Sequence, residues 1–363
     1  MIVVNYGRDI FKTTYDALKV SDICSSLKHG MAVAVKPNLV VPGPASGGAT
    51  THPEVVSAII CFLKDYGIAK IKIIESSWIG DCTKRAFKYC GYEEISRKHD
   101  VPLIDLKDDT CTSLKHGDLK ISICNESLGT DYLINVPVLK AHSQTRLTCA
   151  MKNLKGCIPD SEKRRFHSLG LHKPIAVLNM LLKTGYCVVD GICGDLSFEE
   201  GGNPVESNRI IAGRNPLTVD SYCAELIGRM PDEIGYLSCG RDLGLGEYYS
   251  QKTKVVELNS HNKPAHTTGN GVLAEKYEGL IDEDSACCAC YSSLIFALYR
   301  FGKNRFHDIL RNDKIHIGQG FKGKSGDGIG IGSCAGGYTR CAGGCPPKAS
   351  EIVNFLSNTF PGE

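Results

Sequence analysis

The chain has 363 residues, which is enough to bury a large core and to form two or three domains. Hydrophobic residues make up 42% and charged residues 23%, so the composition is that of a globular protein and excludes a disordered or fibrous chain. The net charge of +2 gives no electrostatic reason to expect a nucleic acid or an anionic membrane as the main partner.

Short apolar segments alternate with amphipathic segments through the first two-thirds of the chain. Fully apolar runs are typical of strands buried on both faces, and the alternation indicates a βαβ order. We therefore predict an α/β fold with a mostly parallel sheet and covering helices. The predicted strands are 31–35, 71–74, 132–136, 186–189 and 210–213, and the predicted helices are 53–63, 83–89 and 216–227.

The composition of the sequence changes near residue 260. A polar passage, residues 259–264, marks the predicted boundary. Residues 1–260 form the predicted α/β domain, with room for two subdomains, and residues 261–363 form a C-terminal cysteine-rich, cluster-binding module. Within this module we predict a helix over 290–301, a strand over 314–317 and a closing helix over 348–356.

The start of the chain and its hydropathy predict a cytoplasmic protein. No basic segment precedes a long apolar stretch at the start, so a signal peptide is not expected. No apolar run approaches the roughly 18 residues of a membrane span. In a reducing compartment, 18 cysteines indicate metal ligation for the clustered ones rather than a disulfide framework.

The C-terminal module carries cysteines in patterns typical of metal ligands. Cys287 and Cys290 form a CxxC pair at the predicted start of a helix, where two thiolates can reach one metal centre. Cys334 and Cys345 follow in glycine-rich segments, and glycine lets backbone N–H groups approach cluster sulfurs closely. A proline follows Cys345, as it follows a ligand cysteine in bacterial ferredoxins. Four thiolates fit a [4Fe–4S] cluster, which we predict as the cofactor.

Two other interpretations of these cysteines stay open. A structural zinc site accepts the spacing of a second set, which consists of Cys287, Cys290, Cys341 and Cys345. The cysteines can also be buried thiols without a metal. Because six cysteines compete for four positions, Cys288 and Cys341 have no assigned role.

Residues 318–325 match two nucleotide-binding patterns. The segment fits both GxGxxG and GxxxxGK[ST], and it follows a predicted strand. The glycine-dense residues 326–332 cannot continue a phosphate-facing helix, so we interpret the segment as a flexible loop over the cluster.

Polar residues follow several predicted strands, at the edge where open α/β sheets bind ligands. Lys36, Lys140 and His142 are the predicted catalytic residues, since lysine brings positive charge and histidine exchanges protons near neutral pH. Asp190 and Asp195 are candidate carboxylates that orient a histidine. The predicted substrate is a small anionic metabolite, a carboxylate or a phosphate compound. The predicted substrate-binding residues are Asn38, Thr51, Lys152, Asn153 and His167.

Several short motifs occur in an order and spacing that are specific in combination. They are Lys36-Pro37-Asn38, Thr51-His52-Pro53, Asn135-Val136-Pro137 with Lys140 and His142, Met151-Lys152-Asn153, Val189-Asp190-Gly191, Asp220, and Gly344-Cys345-Pro346-Pro347. The series resembles the domain-of-unknown-function 362 family, often described as uncharacterised Fe–S center proteins. The resemblance spans nearly the whole chain and implies an α/β domain joined to cluster-binding cysteines. It supports ligand roles for Cys287, Cys290, Cys334 and Cys345.

The chain lacks the CxxCxxCxxxCP run that many relatives carry. Two clusters in series are the usual way to build an electron wire, so its absence favours a single-cluster enzyme. The leading prediction is an iron–sulfur oxidoreductase that acts on the anion in a cleft between the α/β domain and the cluster module, with an electron-donor protein as partner. The alternatives are a non-redox [4Fe–4S] lyase or isomerase with an open iron, and an electron carrier or binding protein without its own substrate.

Overall fold

The structure, a computed structural model, describes residues 1–264, 272–302 and 314–360. Internal contacts divide these residues into two units. The large unit contains the described residues of 1–163 and 172–270, and the cysteine unit contains those of 164–171 and 271–363. The predicted division was one cut near residue 260, whereas here the short segment 164–171 groups with the C-terminal residues.

Strands and helices follow one another through both units. In chain order the strands are β1 Ile2–Tyr6, β2 Ala32–Lys36, β3 Lys70–Glu75, β4 Leu103–Asp105, β5 Cys111–His116, β6 Leu119–Cys124, β7 Tyr132–Asn135, β8 Lys140–His142, β9 Arg146–Thr148, β10 Tyr186–Asp195, β11 Pro204–Gly213, β12 Val255–Leu258, β13 Ile281–Glu283, β14 Ile315–Ile317, β15 Gly326–Ile331 and β16 Tyr338–Ala342. The α-helices are α1 Ile10–Val20, α2 Pro53–Asp65, α3 Thr83–Tyr89, α4 Tyr92–His99, α5 Asn125–Leu128, α6 Ala150–Asn153, α7 Asp160–Ser168, α8 His172–Leu181, α9 Pro216–Leu226, α10 Gly235–Asp242, α11 Cys288–Phe301 and α12 Ala349–Thr359. Among the described helices, none has the length and hydropathy that crossing a membrane requires.

The central sheet of the large unit has eight strands in the order β12-β1-β11-β10-β7-β2-β3-β4. Neighbouring strands are parallel except on the two sides of β11. Strands β1 and β10 are buried along their whole length, as expected for strands that are covered on both faces. The predicted α/β fold with a mostly parallel sheet is confirmed.

Aliphatic side chains from the sheet and its helices form the core of the large unit. Val33 and Val35 of β2 pack in one cluster with Ile59 of α2. Helix α2 begins at Pro53, whose missing N–H would have no partner in the first turn of a helix. Helix α9 begins after Asn215, whose side chain accepts a hydrogen bond from the backbone of Thr218 at 3.0 Å. This core fixes the strand ends that carry the polar residues.

Strands β10 and β11 are longer than the sequence predicted. Each has ten residues, whereas the apolar runs covered only 186–189 and 210–213. Polar residues such as Asp190 and Asp195 interrupt the apolar pattern, yet both are fully buried. The Asp195 carboxylate accepts hydrogen bonds from the backbone of Ser197 and Asn203, which satisfies its charge inside the fold.

The cysteine unit contains a parallel sheet of four strands in the order β13-β14-β15-β16. The glycine-dense residues form β15, because alternation places Ile329 and Ile331 in the interior. A short 3₁₀ turn, Gln319–Phe321, follows β14, and no α-helix follows it in the described part of the glycine-rich segment. A nucleotide-binding helix is therefore absent from residues 318–331.

Candidate metal centre and polar site

Four cysteines line one pocket of the cysteine unit, with a volume of about 300 Å³ including its opening to solvent. They come from three segments: the start of α11, the turn after β15 and the loop after β16. The cysteines are Cys287, Cys290, Cys334 and Cys345, and the other lining residues are Ile317, Gly318, Gln319, Ile331, Gly332, Ser333 and Gly344. The structure thus brings together the four predicted ligands, while their binding of a cluster stays a prediction.

Glycines shape the wall of this pocket. Gly332 has φ +83, and a Cβ there would lie 3.8 Å from the Sγ of Cys290. Gly344 has φ +122, and a Cβ there would lie 2.8 Å from the Cα of Pro347. The backbone N–H of Ser333 donates to the carbonyl of Gly344 at 2.8 Å. Glycine therefore permits the positive φ at both positions and, at position 344, the tight turn onto Pro347.

Burial and neighbouring thiols disfavour ionisation of the pocket cysteines. Burial is the largest cause that raises the pKa of Cys287 to about 11, and the adjacent sulfurs add to it. The same causes raise the pKa of Cys290 to about 12. Several thiolates can coexist here only if a bound centre supplies positive charge. The donor set and its electrostatics therefore fit a metal centre with thiolate ligands.

Cys288 and Cys341, which the sequence left without a role, lie outside the pocket lining. The Sγ of Cys288 lies 3.4 Å from Nε2 of His167. Cys341 lies in β16, opposite Gly330 of β15. The predicted zinc set included Cys341, so the pocket gathers the set predicted for a cluster and not the set predicted for zinc.

Among the described residues, no three His, Cys, Asp or Glu side chains are placed to hold a single metal ion together. In a [4Fe–4S] cluster each thiolate binds a different iron, so the ligands are spaced more widely than those of one ion. The four thiols that line the pocket are the kind of donor set that a [4Fe–4S] cluster takes.

A second set of polar residues lies at the carboxyl ends of the parallel strands in the large unit. Lys36, at the end of β2, is 1% exposed and its Nζ lies 2.8 Å from Oε2 of Glu75, at the end of β3. Burial raises the pKa of Glu75, and the ammonium of Lys36 acts in the opposite direction. Lys36, predicted to be catalytic, is thus held in a buried ion pair.

Three predicted substrate-binding residues join this ion pair. Nζ of Lys36 donates to Oδ1 of Asn153 at 3.3 Å, and Nδ2 of Asn38 donates to the same oxygen at 2.8 Å. The backbone N–H of Asn38 donates to Oγ1 of Thr51 at 2.8 Å. The structure therefore brings Lys36, Asn38, Thr51 and Asn153 into one hydrogen-bonded network.

Asp220 explains how Asn153 is positioned. Its carboxylate accepts hydrogen bonds from the backbone N–H groups of Ala150 and Met151, at 2.7 and 2.9 Å, and so holds the start of α6. Burial raises the pKa of Asp220 to about 7, although these hydrogen bonds oppose the increase. Asp220 therefore has a positioning role in this network.

Lys140 and His142 form a second buried group in the large unit. Nζ of Lys140 donates to the carbonyls of Ala49 and Glu199 at 2.6 and 2.8 Å. Burial, followed by the charge of Lys152, lowers the pKa of Lys140 to about 7. Nδ1 of His142 accepts the backbone N–H of Gln144 at 3.0 Å, so a neutral His142 carries its proton on Nε2, which lies 3.7 Å from Oε1 of Glu199.

His52 is a site residue that the sequence did not single out for proton transfer. Both its backbone N–H and Nδ1 contact Oδ2 of Asp190, at 2.7 and 2.8 Å, while Asp190 is fully buried. The sequence named Asp190 as an orienting carboxylate, but its partner lies 138 residues earlier in the chain. In the sequence, only the position of His52 directly before helix α2 could have indicated that it is a site residue.

The His52–Asp190 contact predicts a pH-dependent contribution to stability. Burial lowers the pKa of His52, but the carboxylate of Asp190 outweighs it and the net shift is upward. The contribution is therefore complete below the pKa of an unfolded histidine, about 6.5, and is lost as pH rises through the higher folded pKa. We expect His52→Gln to lower the urea midpoint more at pH 5.5 than at pH 8.5. The exposed His261→Gln is the control, and an equal loss at both pH values for His52→Gln would contradict this account.

Together, the fold and the two sites define an α/β protein with a cysteine-lined pocket and a buried polar network at the carboxyl edge of its main sheet. The sequence model of the family described as "Domain of unknown function (DUF362)" matches residues 33–225, which is more than half of the chain. The chain belongs to this family, and the resemblance drawn from the motifs is confirmed. The matched region contains the polar network and ends before the pocket cysteines.

Two further proteins show similarity to the chain. The thylakoid-associated protein sll1697 of Synechocystis sp. (strain ATCC 27184 / PCC 6803 / Kazusa) is 25% identical over 238 residues, which cover 62% of this chain and 72% of that protein. The lactate racemase apoprotein from Thermoanaerobacterium thermosaccharolyticum aligns with a TM-score of 0.40 and 13% identity. That alignment covers 64% of this chain and 57% of the racemase chain, so it spans less than two thirds of the racemase.

Proposed function

We propose that the chain holds one [4Fe–4S] cluster in the cysteine-lined pocket and is an oxidoreductase that acts on a small anionic metabolite. The observation that carries the proposal is the convergence of four cysteines, from three separate segments, on one pocket of about 300 Å³. The proposed ligands are Cys287, Cys290, Cys334 and Cys345. When bound, such a cluster supplies one-electron transfer.

The chain's own residues support binding of a cluster in this pocket. Gly332 and Gly344 both have positive φ, and Gly344 permits the tight turn that carries Cys345. The hydrogen bond between Ser333 and Gly344 holds two ligand segments together before any metal binds. The ordering cost of ligation is thereby reduced.

The anionic substrate is supported by the charges of the large unit. Lys140 is buried at 1% exposure and makes no ion pair within the described residues, because carbonyl oxygens accept its hydrogen bonds. Burial, followed by the charge of Lys152, lowers the pKa of Lys140 to about 7, while the carboxylates of Glu199, Glu200 and Asp195 act in the opposite direction. Two amines with this placement favour a carboxylate or phosphate ligand. An electron-donor protein is the further partner that this proposal requires.

One observation favours a second candidate function, a non-redox lyase or isomerase in which one iron is left open. Cys345 is exposed, whereas the other three pocket cysteines are partly buried. If Cys345 does not bind iron, an iron at its corner is accessible and can act as a Lewis acid toward a substrate.

Reduction of the anaerobically purified protein distinguishes these functions. For the oxidoreductase we expect dithionite to bleach the visible absorption and to produce an EPR signal of about one spin per chain. We also expect Cys345→Ala to lose iron. A cluster that dithionite cannot reduce, together with full iron retention in Cys345→Ala, would reject the redox proposal in favour of the open-iron enzyme.

A further inference from the structure

A pair of cysteines lies at the open end of the hairpin that strands β5 and β6 form in the large unit. The strands pair antiparallel, and Cys111 of β5 lies directly opposite Cys124 of β6. The thiol of Cys111 donates to Sγ of Cys124, with 3.8 Å between the two sulfurs. The two side chains therefore lie on one face of the hairpin and are in direct contact.

The hydrogen-bond register places this pair where two opposite cysteines can be linked. The backbone N–H of Asn125 donates to the carbonyl of Thr110 at 2.9 Å, so these neighbours form a hydrogen-bonded pair. Hydrogen-bonded and non-hydrogen-bonded pairs alternate along an antiparallel ladder, which makes Cys111 and Cys124 a non-hydrogen-bonded pair. The Cα atoms of such a pair are about 4.5 Å apart, within the roughly 4.4–6.8 Å that a disulfide spans. A disulfide here requires rotation of side chains rather than a shift of the strands.

The two thiols differ in their access to solvent. Cys111 is exposed, whereas Cys124 is fully buried and its thiol donates to the carbonyl of Leu106 at 3.5 Å. Burial is the largest cause that raises the pKa of each thiol, so both are mostly protonated at neutral pH. A reagent from solution therefore meets Cys111 first, and its reaction with the pair is slow.

We propose that Cys111 and Cys124 are a reversible oxidation site whose co-reactant is a small-molecule disulfide. The thiolate of Cys111 attacks one sulfur of that disulfide, which forms a mixed disulfide and releases one small thiol. The thiolate of Cys124 then attacks Sγ of Cys111, which forms the cross-strand disulfide and releases the second small thiol. The two cysteines are oxidised, the small disulfide is reduced, and the two cysteine protons end on the released thiols. An excess of small thiol reverses both steps.

This inference is independent of the proposed cluster. The pair lies in the large unit, and neither residue lines the cysteine pocket. In the oxidised state, the bond joins the first residue of β5 to the residue that ends β6 and directly precedes α5. In a reducing compartment such a disulfide is transient, so the covalent state of the hairpin follows the thiol–disulfide balance around the protein.

The test is disulfide mapping of the full, anaerobically purified chain after equilibration with glutathione disulfide. Acid stops the exchange, free thiols are alkylated in denaturant, and tryptic peptides are identified by mass spectrometry. Cleavage after lysine places the two cysteines on separate peptides, 108–115 and 121–140, each of which contains one cysteine. We expect the two peptides to be recovered as one linked species. An excess of reduced glutathione should restore two separate, alkylated peptides.

Two variants and a control make the result specific. Cys124→Ser removes the second nucleophile, so Cys111 should retain glutathione as a mixed disulfide. Cys111→Ser changes an exposed position and should leave Cys124 as a free thiol, which keeps the test decisive even if Cys124→Ser does not fold. Cys82→Ser removes another exposed cysteine and should yield the same linked peptides as the wild type.

Three results with the wild-type chain would each overturn the inference. In the first, both peptides carry free thiols after treatment with glutathione disulfide. In the second, Cys111 carries glutathione and no link to Cys124 forms. In the third, Cys124 is linked to another cysteine, such as the buried Cys157. The iron content of the chain decides none of these outcomes, so they stand apart from the test of the proposed function.

Discussion

Replacing Cys290 with serine is expected to reduce the iron content of the purified protein from about four atoms per chain to less than one. Cys290 lies in the first turn of α11 and lines the pocket with the other three proposed ligands. A serine hydroxyl ionises far less readily than a thiol and is a poor ligand for iron. The substitution removes one of the four proposed iron ligands, and burial disfavours ionisation of the remaining thiols.

Cys341→Ser is the matched control for this prediction. Cys341 is also partly buried in the cysteine unit, but it does not line the pocket. We expect this variant to retain full iron and an unchanged absorption spectrum. Should Cys341→Ser lose its metal while Cys334→Ser keeps it, the ligand set that the sequence offered for zinc would be the correct one.

Replacing Lys36 with methionine is expected to destabilise the protein by about 3–5 kcal/mol, because it leaves the carboxylate of Glu75 buried without its cation. Both side chains of this ion pair are at most 3% exposed. The neighbouring Asn153 would lose a donor to its Oδ1 as well. Urea unfolding at pH 7, followed by circular dichroism, measures the change.

Two comparisons make the Lys36 prediction specific. Replacing both partners, in Lys36→Met with Glu75→Leu, should recover a large part of the lost stability, since no unpaired charge stays buried. The exposed pair of Lys84 and Asp108 has the same 2.8 Å separation, with side chains 71% and 66% exposed. Lys84→Met should leave the free energy of unfolding nearly unchanged, because solvent screens this exposed pair. Equal losses for Lys36→Met and Lys84→Met would contradict the account of a buried network.

The fold class was predictable because apolar runs report burial on both faces of a strand. Helix α3 and the strand ends near Lys36 and Asn135 follow the apolar pattern closely. The extra length of β10 was not predictable, because Asp190 and Asp195 resemble loop residues until their hydrogen-bond partners are known. The alternating Gly and Ile residues of β15 are a strand pattern, but the high glycine content obscured this pattern.

Candidate site residues could be predicted where they lie close together in the sequence. The CxxC pair and the Gly-Cys-Pro segment are typical of metal ligands, and the structure places their cysteines in one pocket, while their role as ligands stays a prediction. Contacts between distant residues gave no such signal: Glu75 lies 39 residues from Lys36, and His167 lies 121 residues from Cys288. A lysine that follows a strand is typical both of a ligand site and of a buried ion pair, and only the fold shows which carboxylate faces it.

The most direct test of the central claim is the metal and sulfide content of the full chain after anaerobic purification, measured together with its zinc content. The account predicts about four irons and about four acid-labile sulfides per chain, with zinc well below one. Zinc at about one atom per chain without iron, or a chain free of metal after anaerobic reconstitution with iron and sulfide, would contradict it.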